Sequence, residues 1–93
     1  MLRDAATAYL DGDYESVVSR LETLPRQPKA RAHGLLLRAA ARYRLFLLGG
    51  GRDYGLRSQA IDDVQACRKA APDLEPAEGV FSPRFRDFFS GME

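Results

Sequence analysis

The chain has 93 residues, 45% hydrophobic and 29% charged, which suits one folded domain with a modest core and excludes a disordered tail. One cysteine and one histidine exclude an internal disulfide and leave no ordinary zinc site. The formal net charge of +1 gives no overall bias toward nucleic acid, but residues 1–25 carry −3, residues 26–57 carry +7 and residues 58–93 carry −3.

A first helix is expected from about Leu2 to Asp11, ended by Gly12, a residue suited to a helix C-terminus. Asp13 then caps a second helix through Tyr14, Val17, Val18, Leu21 and Leu24, whose spacings of three and four form one apolar stripe. Pro25 and Pro28 end it, because proline cannot continue the backbone ladder. The third helix runs from about Lys29 to Leu48 and is apolar on more than one face, placing it in the middle of the domain. Gly49, Gly50 and Gly51 break it. A fourth helix, about Tyr54 to Ala71, sets Leu56, Ala60, Ile61, Val64, Cys67 and Ala71 at helical spacing before Pro72. Residues 73–80 form an irregular connector, and Ser82-Pro83 starts a last short helix, serine as N-cap and proline in the first turn. No run alternates with period two, so the fold class is all-α.

The longest apolar stretch, Leu45 to Leu48, is far short of the roughly 20 residues that a membrane-spanning helix needs. No apolar signal region is visible in Met1-Leu2-Arg3-Asp4. A soluble chain is expected, either cytoplasmic or in the bacterial envelope after removal of a signal.

The chain carries an internal repeat. Ala5 and Ala8 recur 35 residues later as Ala40 and Tyr43, and Val17, Leu21 and Leu24 recur 43 residues later as Ala60, Val64 and Cys67. The extra residues of the second unit fall in the loop from Gly49 to Gly55, where an insertion leaves both packing faces intact. On these residues, with the Gly12-Asp13-Tyr14-Glu15 turn, the small positions Ala39 and Ala40 and the closing Pro72, the chain resembles the tetratricopeptide-repeat (TPR) family over residues 1 to about 72. It departs from the family in lacking an opening aromatic residue and in its enlarged second turn.

The resemblance implies antiparallel helix hairpins stacked as a short α-solenoid. Residues 1–25 are the first pair, residues 29–72 the second with its enlarged turn, and residues 80–93 a C-terminal capping segment, all in one domain. It also implies a concave binding surface on the first helix of each pair. Carried over by position, that surface is Leu2, Ala6 and Tyr9 in the first unit and Leu37, Ala41 and Arg44 in the second. Independently, Arg31, Arg38 and Arg42, at separations of seven and four, fall on one face of the third helix.

Phe81, Phe85, Phe88 and Phe89 lie outside the repeat. They share one face of the last helix and are expected to cover the outer side of the last helix pair, including parts of Leu56, Val64 and Ala71, as the cap that an open-ended array requires. Left exposed, they would form a patch for a partner or a second copy.

No constellation for chemistry is found. The glycine run follows a helix rather than a strand and lacks the lysine of a phosphate loop. His33 has no nucleophile or carboxylate at a recognisable spacing, and Cys67 occupies a packed position. Asp62-Asp63 and Asp11/Asp13 suit helix surface and capping. The basic centre has two readings: complementing the neighbouring helices, or recruiting an acidic partner. Without interleaved aromatic residues, nucleic acid is not expected. The expectation is a non-enzymatic adaptor without cofactor or metal that binds a protein or peptide, acidic in character, along the groove. The alternative is an assembly subunit that self-associates through the Phe-rich tail.

Overall fold

A computed structural model describes residues 2–91; Met1 and the last two residues of the expected capping segment lie outside this range. The elements are α1 (Leu2–Leu10), α2 (Tyr14–Arg20), α3 (Pro28–Leu48), α4 (Tyr54–Ala70) and α5 (Pro83–Gly91). The fold is all-α. Among the described residues there is no strand, only an isolated bridge between Glu78 and Phe81. No helix among them is long and apolar enough to cross a membrane.

Local chemistry sets most boundaries. Gly12 leaves α1 with φ +81°, a conformation costly for residues with a Cβ. Asp13, Asp53 and Ser82 each accept a hydrogen bond from the backbone N–H three residues on, at 3.2–3.3 Å. Each satisfies an orphan donor at a helix start. Pro28 does not close the second helix as expected; it opens α3, with Gln27 as N-cap accepting from the Ala30 N–H at 3.2 Å. A proline costs nothing at that position, since its missing N–H has no intrahelical partner there.

α2 is also shorter than its apolar stripe suggests, ending at Arg20. The Leu21 carbonyl accepts a 2.9 Å bond from Arg38 Nη1 on α3, so a tertiary contact takes over from the helical ladder. Leu24 still packs, from outside the helix: a methyl on Gly34 would lie 3.1 Å from Leu24 Cδ2 and 3.5 Å from Leu2 Cδ2. Glycine there lets the chain after α2 pass close over α3.

Side-chain pairings give the helix directions. Tyr14 meets Arg44, Leu21 meets Arg38 and Leu24 meets Gly34, so α2 and α3 run antiparallel. Phe46 meets Tyr54, Arg42 and Arg38 meet Asp63, and the Ala32 carbonyl meets Cys67, so α3 and α4 are antiparallel too. α3 therefore lies between its neighbours, and Ala32, Ala39, Ala40 and Ala41 are completely buried along it.

A polar cluster sits inside this packing. Asp63 on α4 is only 3% exposed. It accepts from Arg38 Nε and Nη2 at 3.1 and 2.8 Å and from Arg42 Nη1 at 2.8 Å. Asp63 was expected on the helix surface; the correction is that it is the buried anion joining α3 to α4. Two guanidinium groups compensate one carboxylate, and Arg38 reaches on to α2. The cluster thus ties three helices at one point.

The C-terminal helix docks through its aromatic face. Phe81, Phe85, Phe88 and Phe89 are all buried, Phe85 completely. Their ring contacts take in α3 of the last helix pair and reach beyond it to α1. Phe81 lies 5.3 Å from Tyr9 on α1, and Phe88 stacks on Tyr43 of α3 at 4.1 Å between centroids. From α4, Arg57 lies over Phe88 and Arg68 over Phe89, and Arg68 Nη1 donates to the Phe89 carbonyl at 3.0 Å. Aromatic pairs at these separations add about 0.5–1.5 kcal/mol each beyond burial, which favours a line of tyrosines over an aliphatic surface.

Candidate functional site

The turn after α3 is closed to ligands. Gly50 and Gly51 take φ values of +86° and +71°, and the amides of Gly49, Gly50 and Gly51 donate to the carbonyls of Leu45, Leu47 and Phe46 at 2.9–3.0 Å. These N–H groups finish the helix and leave none for a phosphate. Cys67 is completely buried, with its thiol 3.3 Å from the Ala32 carbonyl. Burial pushes its pKa up to about 11, the opposite of a reactive thiol. Among the described residues, no group of three His, Cys, Asp or Glu side chains could hold a metal. His33 is exposed.

The expected basic stripe is dispersed. Arg31 is exposed, whereas Arg38 and Arg42 are turned onto Asp63. Two positive charges there meet one negative charge, and the arginine side chains are only 15% and 17% exposed. Of the surface implied by the family resemblance, Leu2, Ala6 and Leu37 are half-buried. Ala41 is completely buried and Tyr9 is 7% exposed. Ala41 has no free surface, because α3 is packed on both sides, and Tyr9 is covered by Phe81 and Tyr14. The tail thus occupies part of the surface along α1 and α3.

What stays open is a cleft of about 480 Å³ where the end of α1, the start of α2, α3 and the tail meet. Tyr9 and Tyr14 line it, with ring centroids 5.5 Å apart. Arg44 enters from α3, its guanidinium carbon 5.6 Å above the Tyr14 ring. Leu10 and Val80 stand on the rim, 70% and 48% exposed. Glu78, Ser82 and Arg86 complete the tail side. Glu78 and Arg86 approach each other at 3.9 Å, so they offset one another at the surface.

Arg44 differs from Arg38 and Arg42 in having no carboxylate, although the Arg42 Nε is likewise buried without an acceptor. The Arg44 Nε is buried without a hydrogen-bond partner, and no ion pair to this side chain is formed among the described residues. Desolvation and the neighbouring Tyr14 push the Tyr9 hydroxyl up to about 12, against a smaller opposing effect of Arg44. Tyr9 therefore stays a protonated donor in the physiological range. The cleft can hold an apolar chain at its rim and an anionic group at its floor.

Of the sequence-derived residues, Tyr9 and Arg44 are brought together here. Leu10, Tyr14, Val80 and Arg86 were missed. The repeat offset carried a signal for one of them, since Tyr9 and Arg44 are 35 residues apart and Tyr14 follows in the turn beside them. Nothing in the spacing brings the 78–86 segment to the same place. Comparison of the chain with protein-family models, with curated proteins and with solved structures finds no match.

Proposed function

We propose that the chain is a non-enzymatic protein–protein interaction module, a TPR-like pair of helix hairpins (α1–α2 and α3–α4) capped by α5, and that it docks an extended segment of a partner. The observation that carries this reading is the cleft at the α1–α3–tail junction, where two exposed apolar side chains flank an arginine without an ionic partner. Its volume falls in the range of built ligand sites, roughly 300–1,000 Å³. An exposed Leu10 beside an exposed Val80 is the kind of patch that marks a contact surface. A small groove of this kind supports modest affinity, because binding must first offset lost translational and side-chain freedom.

The alternative, copies joined through the Phe-rich tail, has less support, since all four phenylalanines are buried within one chain. Selection of a random displayed-peptide library on the folded protein tests the proposal. A peptide consensus is expected, with binding at least about tenfold weaker to a Leu10→Asp/Val80→Asp variant. Failure to obtain a consensus, or equal binding by that variant, would count against the cleft as the site.

A further inference from the structure

Four arginines bear on the inner surface of α3 and the cleft. Arg38 and Arg42 are spent on Asp63, and Arg86 faces Glu78. Arg44 alone among these has no carboxylate. Its Nε is buried without an acceptor, but its two outer nitrogens are neither buried nor hydrogen-bonded among the described residues, and the side chain lines the cleft. Next to it the Tyr9 side chain, more than nine-tenths buried, lines the same cleft with no hydrogen bond to its hydroxyl among the described residues. Arg44 and Tyr9 thus line one cleft, and Tyr14 holds the guanidinium from one side.

We propose that the cleft takes its partner segment by one side-chain carboxylate, an Asp or Glu seated on Arg44, with an adjoining apolar side chain on Leu10 and Val80. This rests on the interaction-module reading above and adds to it the chemistry of the occupant. The planar guanidinium can present two parallel N–H donors to a carboxylate, a geometry stronger and more directional than a neutral hydrogen bond. Arg44, with no carboxylate of its own, offers one positive charge to one negative one.

The test measures binding of capped pentapeptides, acetyl-Leu-Glu-Leu-Asp-Leu-amide and its Gln/Asn isostere, to wild type, Arg44→Gln and Arg44→Lys. Wild type is expected to bind the acidic peptide about tenfold more tightly than the isostere, and added salt should shrink that gap. Arg44→Gln should bind both peptides at the weaker level, and Arg44→Lys should fall between. Circular dichroism checks that the variants fold; should one fail, the two peptides on wild type still decide. Equal binding of acid and isostere by wild type overturns the carboxylate while leaving the apolar groove in place. So does discrimination that survives in Arg44→Gln. Tighter binding of a phosphoserine peptide overturns the choice of carboxylate over phosphate. Absence of binding by either peptide at millimolar concentration also overturns it, whereas loss of the module reading itself would show as failure of the unbiased library selection.

Discussion

Replacing Phe85 by alanine is expected to cost about 3–5 kcal/mol of folding free energy, the range for deleting a wholly buried aromatic ring. Phe85 is completely buried and its ring touches those of Tyr43, Phe81, Phe88 and Phe89 at 5.6–6.3 Å. It is the hinge of a chain of rings that runs from Tyr14 through Tyr9, Phe81 and Tyr43 to Phe46 and Tyr54. The tail is held to the main helices largely by these rings, with the Arg68–Phe89 hydrogen bond beside them. For a chain of this size the loss corresponds to a fall in Tm of about 12–40 °C. Thermal melts followed by circular dichroism measure it. A melt within about a degree of wild type would mean that α5 contributes little to the fold and would free the tail for recruitment.

Asp63→Ala should be comparably damaging, at about 3–5 kcal/mol, for a different reason. It leaves Arg38 and Arg42, whose side chains are only 15% and 17% exposed, without their shared anion. Arg38 would keep only its bond to the Leu21 carbonyl, so the junction of α2 with α3 and α4 should loosen with it. The net worth of the cluster is a separate quantity. Arg38→Met, Arg42→Leu and Asp63→Leu combined should recover most of the stability, since an apolar replacement carries no desolvation cost. Urea unfolding of the single and triple variants separates the two effects. A single variant within about 1 kcal/mol of wild type would show that the arginines reach water easily.

These two sites also mark what the sequence makes legible. The Phe85 environment was readable: Ser82-Pro83 announces the helix, and four phenylalanines on one face demand cover. Its partners were not, because nothing local says that Tyr9 and Tyr43 would receive them rather than the aliphatic face of α4. For Asp63 the signal existed. It lies three residues after Ala60 and four before Cys67, inside the buried stripe of α4, and Arg38 and Arg42 sit four apart on the facing helix. A charged residue at a core period points to an opposite charge across the interface. Reading Asp62 and Asp63 together as surface obscured this. Helix boundaries followed glycine and capping residues closely, and departed from expectation at Pro28, which opens α3, and at the end of α2, where Arg38 takes the Leu21 carbonyl. The cleft depends on the tail folding back over α1, a long-range contact that no spacing within either segment encodes.

The central claim is that the cleft built from Tyr9, Tyr14, Arg44 and the tail is where a partner segment docks. The most direct measurement is a nuclear magnetic resonance titration of isotope-labelled protein with acetyl-Leu-Glu-Leu-Asp-Leu-amide, following the backbone amides and the Arg44 Nε–H. Seating a carboxylate on the outer nitrogens of the same guanidinium, which are not buried, should move the Nε–H resonance in a saturable way. Amides of Leu10, Tyr14, Gly79 and Val80 should shift in step, while those of the α4 face near Cys67 stay still. Saturable shifts that gather elsewhere, with the Arg44 Nε–H unmoved, would contradict the claim.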